Sequence, residues 1–275
     1  MTMSPQSIVL VHGLWLSPHS WQPWIDRYRA QGHTVHAPAW PGISELHEPL
    51  DHDRAPAGLG VREIADHYES FVRTLAEPPV IIGHSFGGLI TQILLDRGLG
   101  AAGVALHPAP AKGVLRLPLP TLRATRPVLA NPANRHRTVK LTDRQFHYAF
   151  ANTVSPDQAA AERARWAVPG AGRPLFQAGF ANITPAGRAA TAVRFANSDR
   201  APLLLVAGTA DRIVPPAVVR ETHRRYRRSA ALTEYREWPG RDHGTGFHDG
   251  WEAVADDALA WALRARRPAH SSCNS

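Results

Sequence analysis

The chain has 275 residues, of which 44% are hydrophobic and 20% are charged, as is usual for a globular protein in water. This length is enough for one large domain, or for a domain with an insertion. No segment approaches the roughly 18 consecutive apolar residues that a membrane-spanning helix needs, so we expect neither an integral membrane protein nor a membrane partner.

The net charge is +8, but most of the arginines are scattered along the chain and no nucleic-acid-binding motif accompanies them. We therefore expect no specific nucleic-acid partner, although a basic surface can attract nucleic acid or anionic lipid without specificity. The single cysteine, Cys273, excludes a disulfide framework and a cysteine-ligated zinc site. No apolar or basic leader precedes the first predicted strand, so we expect a cytoplasmic protein. We also expect neither a metal ion nor a cofactor.

Six short apolar runs bounded by Gly, Pro or Asp are predicted to be β-strands, and most are continuous, as in strands buried on both faces. The runs are 8–11, 34–37, 80–82, 104–106, 203–206 and 232–235. Apolar repeats of three and four residues predict helices over 61–75 and 254–262. This alternation predicts an α/β fold: a parallel six-stranded sheet flanked by helices, with its site at the carboxyl ends of the strands.

The alternation is interrupted over residues 111–200, which we interpret as a mostly helical insertion into a core formed by 1–110 and 201–275. Prolines at its start are too dense for a strand or a long helix. Thr142 and Ser155 each precede a Gln three residues later, a pattern typical of capped helix starts. An insertion of this size in a parallel sheet is a candidate lid.

The predicted strand 80–82 runs directly into Gly83-His84-Ser85-Phe86-Gly87 and then into a helical segment. This is the G-x-S-x-G pattern in the strand–turn–helix context of a nucleophile elbow. The serine of such an elbow sits on a sharp turn, and small residues are needed where neighbouring backbones come close. Ser85 is therefore the candidate nucleophile, the alternative being a tight turn with an idle serine.

The pattern resembles the α/β-hydrolase superfamily, in particular the cap-bearing branch with small esterases, cofactor-free haloperoxidases, hydroxynitrile lyases and methylesterases. The resemblance implies that Leu14, after the His12-Gly13 pair, and Phe86, after the nucleophile, supply the backbone N–H groups of an oxyanion hole. Trp15 could take the role of Leu14 instead. One departure from the wider superfamily is that the chain begins directly at the strand before the oxyanion loop, so we expect the usual first two strands to be absent.

In that fold the acid and then the histidine follow the serine along the chain. The resemblance assigns the acid to Asp211, in the exit loop of the run 203–206, and the base to His243, after the last strand. An alternative base is His248. Alternative acids are Asp199, Asp242 and Asp249.

Several residues are candidate substrate contacts. His107 follows the predicted strand 104–106 and is expected near the pocket rim. Trp15 lies in the oxyanion loop, and the insertion is rich in aromatic residues, among them Phe146 and Trp166. We expect the gap between insertion and sheet to form an apolar pocket over the nucleophile.

The leading function is hydrolysis of an ester or thioester of a small, apolar substrate through an acyl-enzyme. A serine rather than an aspartate nucleophile argues against dehalogenase and epoxide-hydrolase chemistry. Two alternatives stay open: lyase, perhydrolase or oxygenase chemistry at the same three residues, and a slow ligand-binding receptor. The sequence predicts neither the substrate nor the oligomeric state.

Overall fold

A computed structural model describes residues 5–43 and 57–266. Within these residues six strands form one parallel sheet in the order β2-β1-β3-β4-β7-β8. The strands are β1 Ser7–Val11, β2 Thr34–His36, β3 Val80–His84, β4 Ala102–Leu106, β7 Leu203–Gly208 and β8 Thr233–Trp238. All six predicted runs lie in this sheet, which confirms the predicted fold class.

Helices cover both faces of the sheet, which explains why the central strands β1, β3, β4 and β7 are almost entirely apolar, whereas the edge strands β2 and β8 carry polar side chains. Two helices pack on the face that carries Ile8 and Leu10: α1 Gln22–Ala30, which follows β1, and α9 Trp251–Ala265, the last helix of the described residues. On the opposite face, α2 Val61–Val72 and α3 Phe86–Asp96 bury their apolar residues against Val9 and Val11. A further helix, α8 Pro216–Tyr226, packs against β7 and β8.

Residues 111–200 separate β4 from β7, and we call them the insertion. They contain four helices: α4 Leu119–Leu129, α5 Asp143–Ala149, α6 Pro156–Trp166 and α7 Arg173–Gly179. Short 3-10 turns span Pro132–His136 and Ala186–Arg188. Two short strands not predicted from the sequence, β5 Thr138–Val139 and β6 Gly170–Ala171, pair antiparallel to each other. The insertion is thus mostly helical, with a small ribbon of its own.

The predicted helix starts at Thr142 and Ser155 are confirmed. The Thr142 hydroxyl accepts from the Gln145 N–H, and the Gln145 side chain accepts from the Thr142 N–H, which completes a capping box. The hydroxyl of Ser155 accepts from the N–H of Gln158.

The proline-rich segment behaves differently from the prediction, because α4 forms within it. Pro120 lies in the first turn of this helix, where no intrahelical donor is needed. Pro127 lies inside, two residues before the end, where the loss of one backbone hydrogen bond affects a single turn.

No helix in the described ranges 5–43 and 57–266 is long and apolar enough to cross a bilayer. Cys273 lies outside the described residues. The cytoplasmic location stays a prediction.

Candidate active site

Ser85 occupies a strained turn between β3 and α3. Its backbone has φ 56° and ψ −119°, outside the regions that non-glycine residues usually adopt. The turn is fixed on both sides, since the Ser85 N–H donates to Leu106 O at 2.9 Å and the Ala109 N–H donates to Ser85 O at 3.0 Å. The hydroxyl is therefore presented at the carboxyl end of β3 by backbone contacts to the loop after β4.

Glycines beside the turn are required by close backbone approach. A Cβ atom on Gly83 would lie 2.1 Å from the carbonyl oxygen of Gly87, and one on Gly87 would lie 2.0 Å from that of Val11. A Cβ atom on Gly13, in the loop after β1, would lie 2.9 Å from the Cβ of Ser85. Side chains at these positions would displace the serine or the loop that faces it.

The loop after β1 brings Leu14 to the same end of the sheet. Phe86 is the first residue of α3, so its N–H has no acceptor within the helix. His12 holds the loop in place, because its Nδ1–H donates to Gly13 O at 3.0 Å and its Nε2 accepts from the Trp40 N–H at 3.2 Å. Burial lowers the pKa of His12 to about 4, against a weaker opposing effect of that carbonyl, so the ring is neutral.

Trp15 points toward the insertion. Its indole Nε1–H donates to Val139 O at 3.0 Å, and its ring lies edge-on to that of Phe150. Like Ser85 it has a positive φ, 65°. It does not line the cavity beside Ser85, so its expected contact with substrate has no support in the geometry.

Asp211 and His243, predicted from separate parts of the chain, are brought together. Asp211 Oδ2 accepts from His243 Nδ1–H at 2.7 Å, and Asp211 Oδ1 accepts from the N–H groups of Ile213 and Val214, both at 2.8 Å. Both side chains are fully buried. Burial alone would raise the pKa of Asp211, but His243 and a second histidine together hold it well below its usual range. The acid is therefore an anion held in one orientation.

That second histidine is His107, and the sequence did not indicate its role. Its Nδ1–H donates to the same oxygen, Asp211 Oδ2, at 2.6 Å. The side chain is fully buried and is absent from the cavity lining, so the structure places it behind the acid and not at the expected pocket rim. Its backbone φ of 47° turns the ring toward Asp211 as the chain leaves β4.

The outer nitrogen of His243 is available for proton transfer. His243 Nε2 is buried and makes no hydrogen bond to any residue in the described ranges. The ring lies 4.6 Å from that of His84, the residue before Ser85, and 5.0 Å from that of Phe150, centroid to centroid. His84 Nε2–H donates to His243 O at 2.8 Å. Burial and the two neighbouring histidines hold the pKa of His84 well below its usual range, so it acts as a neutral support.

The alternative base and one alternative acid are engaged elsewhere. His248 Nε2 bonds Glu162 Oε2 at 2.7 Å, and His248 Nδ1 bonds Asp242 Oδ1 at 2.9 Å. The other oxygen of Asp242 accepts from the N–H and the hydroxyl of Thr153. Both nitrogens of His248 are therefore occupied in a link between the core and α6.

A cavity of about 120 Å³ opens beside Ser85 and Phe86. The insertion supplies most of its wall, and the residues after β4 and after Asp211 supply the rest. Its aliphatic lining includes Ala109, Pro110, Val114, Leu115, Leu117, Leu129, Leu175, Ala178, Ile213 and Val214. The insertion contributes no aromatic side chain to this lining, although the sequence pointed to aromatic side chains there.

Neither predicted aromatic contact reaches this cavity. Phe146 is fully buried and stacks on Phe150 at 5.0 Å, and the ring of Trp166 packs against His19 and Phe247. These rings form the core of the insertion and its seam with the sheet domain. The many aromatic residues of the insertion indicated that these side chains are buried. They did not indicate whether a given ring lies in the core of the insertion or in the cavity wall.

One cluster among the described residues has atoms close enough to hold a metal ion: His107, Asp211 and His243, whose ligand atoms lie within 4.8 Å of one another. The hydrogen bonds of 2.6 and 2.7 Å to Asp211 account for this approach. Ring nitrogens that donate to a carboxylate are not free to bind a cation, so the cluster fits a hydrogen-bonded acid–base unit.

Comparisons with known proteins agree with this architecture. A family model described as the alpha/beta hydrolase family matches residues 8–258. Similar solved structures include an extracellular alpha/beta-hydrolase from a Paenibacillus species, described as sharing structural and functional homology with tobacco salicylic acid binding protein 2. It is 19% identical with a TM-score of 0.68, over 96% of this chain and 100% of that one.

The monoacylglycerol lipase of Paleococcus ferrophilus is 23% identical with a TM-score of 0.65, over 95% and 96% of the two chains. An esterase from Thermogutta terrifontis is 16% identical with a TM-score of 0.64, over 96% and 92%. These identities show a shared fold, and no curated protein matches the chain. Because the family model spans nearly all of the sheet and its helices, the chain belongs to the alpha/beta hydrolase family and is a hydrolase of that family.

Proposed function

We propose that the chain is a serine hydrolase that cleaves an ester or thioester of a small, largely apolar substrate through an acyl-enzyme on Ser85. The observation that carries the proposal is the buried Asp211–His243 pair, whose Nε2 makes no hydrogen bond within the described residues. His84, which donates to His243 O at 2.8 Å, joins this pair to the strained turn at the next residue, Ser85. The esterases and lipase among the structural neighbours support ester hydrolysis at a coarse level.

In the proposed first step, Ser85 Oγ attacks the carbonyl carbon and its proton passes to His243 Nε2. Asp211 keeps Nδ1 protonated and stabilises the imidazolium that forms. The backbone N–H groups of Leu14 and Phe86 bind the oxyanion, with about 3 kcal/mol of barrier reduction expected from each donor. The imidazolium then gives its proton to the leaving alkoxide or thiolate, and water hydrolyses the ester on Ser85 with the same base.

The substrate class follows from the cavity. Three polar lining side chains are already paired: Thr121 Oγ1–H donates to Ile213 O, Thr125 Oγ1–H donates to Thr121 O, and Asn182 accepts from the Gly113 N–H and donates to Val114 O. The lining also includes one charged residue, Arg116, which is exposed. Most of the remaining lining is aliphatic. We therefore assign the cavity to an apolar acyl or alcohol group, with the insertion acting as the lid over it.

The test is fluorophosphonate labelling of the purified protein, with the adduct located by mass spectrometry, together with turnover of a p-nitrophenyl ester series. We expect labelling at Ser85, ester turnover, and loss of both in Ser85→Ala with unchanged folding. Ester turnover that persists in Ser85→Ala would refute the proposal. Labelling without turnover of any ester would indicate instead the lyase-type or receptor alternatives.

A further inference from the structure

The positive charge of the chain is concentrated in the insertion. Residues 111–200 hold fourteen of the 31 lysines and arginines but only four of the 23 acidic residues. The insertion therefore carries +10, while the rest of the chain carries −2. Such an asymmetry gives one side of the molecule a strong positive field.

Part of this charge is concentrated in a surface cleft of about 510 Å³ between α4 and α5, which we call the arginine cleft. Arg123, Arg126 and Arg144 line it, and no carboxylate does. None of the three makes an ion pair with any residue in the described part of the chain, where most acidic side chains are paired with cations. The Arg123 guanidinium stands 4.4 Å over the ring of Tyr148. The cleft is thus a cationic recess without an internal counterion among the described residues.

Exposed apolar side chains lie beside the arginine cleft. Seven large apolar side chains are exposed in the described part of the chain, and six belong to the insertion. We call these six the apolar rim: Leu115, Leu117, Leu119, Leu122, Phe180 and Ile183. Folding normally removes large apolar side chains from water, so a group of exposed ones of this kind marks an interaction site.

The apolar rim adjoins the cavity that reaches Ser85. Leu115 and Leu117 line the cavity itself. Asn182 fastens the segment with Phe180 and Ile183 to the loop before Leu115, through its bonds to Gly113 and Val114. On α4, Leu119 and Leu122 of the rim lie one turn before Arg123 and Arg126 of the cleft, so the apolar and cationic surfaces adjoin along this helix.

We propose that the apolar rim and the arginine cleft dock onto the surface of an anionic lipid assembly, with the cavity mouth facing the lipid. Leucine, isoleucine and phenylalanine side chains enter the interface, and the guanidinium groups pair with lipid phosphates. The earlier expectation of no membrane partner rested on the lack of a spanning segment, which surface docking does not need.

Two other occupants fit the same surfaces less well. A second copy of the chain would bring another insertion of charge +10 against the first, and the two would repel each other. A nucleic acid would neutralise the arginines but would leave the exposed leucines in water. An anionic lipid surface satisfies both the charge and the apolar area.

The test is co-sedimentation of full-length protein carrying Ser85→Ala with phosphatidylcholine vesicles, with and without phosphatidylglycerol. This background prevents hydrolysis, so docking is measured independently of the proposed activity. We expect binding to the anionic vesicles that is at least about tenfold stronger than binding to phosphatidylcholine alone.

Two double variants probe the two surfaces, and neither alters a residue that lines the cavity. Leu119→Ser with Ile183→Ser should weaken vesicle binding at least about fivefold. Arg126→Glu with Arg144→Glu should weaken it at least about tenfold. The matched controls lie outside the insertion: Leu232→Ser, which removes the seventh exposed apolar side chain, and Arg227→Glu with Arg228→Glu, which changes the net charge equally. Thermal unfolding checks that every variant is folded.

Equal loss of binding in the Arg227/Arg228 control would mean non-specific attraction by net charge and would overturn the proposal. Unchanged binding in the rim variant would overturn it as well. Self-association in solution that the rim substitutions abolish, without vesicle binding by the parent, would identify a second copy as the occupant instead.

Discussion

The link between the insertion and the catalytic loop depends on the charge of His248. This histidine lies between Glu162 on α6 and Asp242, the residue before His243. Burial by itself would lower the pKa of His248, but the two carboxylates raise it from 6.5 to about 9. We predict that His248→Gln destabilises the protein at neutral pH, because the protonated ring is a buried cation paired on both sides.

The magnitude follows from the difference between the folded and unfolded pKa values. A raised pKa means that the stabilisation is fully present below about pH 6.5 and is lost as the pH rises toward about 9. The whole shift corresponds to about 3 kcal/mol, of which about 2.5 kcal/mol remains at pH 7. The stability difference between parent and His248→Gln should therefore be largest in mildly acidic solution and should disappear above about pH 10.

The assay is urea unfolding followed by tryptophan fluorescence at a series of pH values from about 6 to 10. His136→Gln is the matched control, since His136 is exposed and lies on the surface of the insertion. Its difference from the parent should stay small at every pH. If the parent and His248→Gln curves run parallel over this range, His248 is not ionised in the fold and the reasoning fails.

Three further predictions concern the elbow, the acid and the cavity. Gly87→Ala should lower the free energy of unfolding by more than about 3 kcal/mol in chemical unfolding, because the added Cβ meets a backbone oxygen at 2.0 Å. Gly187→Ala, which has open space around it, is the control and should leave the stability unchanged. Equal losses of stability in the two variants would contradict the prediction. Asp211→Asn should lower kcat by roughly 10³ to 10⁴, since the anion that keeps His243 Nδ1 protonated is gone. An unchanged kcat would exclude the Asp211–His243 coupling. Leu129→Ala should extend the longest acyl chain accepted in a p-nitrophenyl ester series, because Leu129 lines the cavity. Phe146→Ala should not extend it, because Phe146 lies outside the lining. The reverse result would place the acyl site elsewhere.

The main sheet could be predicted from the sequence because its central strands are local apolar runs with a clear breaker at the end, and short runs rich in β-forming residues mark the edge strands β2 and β8. The capped start at Thr142 was equally local, since it depends on residues three apart. The pair of strands β5 and β6 could not be predicted, because its two-residue segments are held by pairing between Thr138 and Ala171 and carry no periodic signal. A local sequence pattern cannot predict a strand that forms only through a contact with residues far along the chain.

The candidate site divides in the same way. A motif and its flanking strand indicated Ser85, and chain order indicated Asp211 and His243, whose catalytic roles stay predictions. The position of His107 depends on the pairing of β4 with β7, although the whole insertion separates these strands along the chain. Its bond to Asp211 also needs a left-handed turn at the residue itself, which no side-chain pattern indicates.

The absence of side chains at Gly13, Gly83 and Gly87 has a consequence for how new specificities can arise in this protein. The carboxyl end of the sheet is assembled there from backbones in contact, so almost no substitution at these glycines is open to evolution or to an engineer without moving Ser85, the proposed nucleophile. The cavity wall, in contrast, is made mostly by the insertion, from residues 114–117, α4 and α7, whose side chains can change size without touching the elbow. Diversification is thereby confined to the insertion, and directed-evolution libraries restricted to its cavity-lining positions should retain a far larger fraction of active clones than libraries of equal size around the glycines.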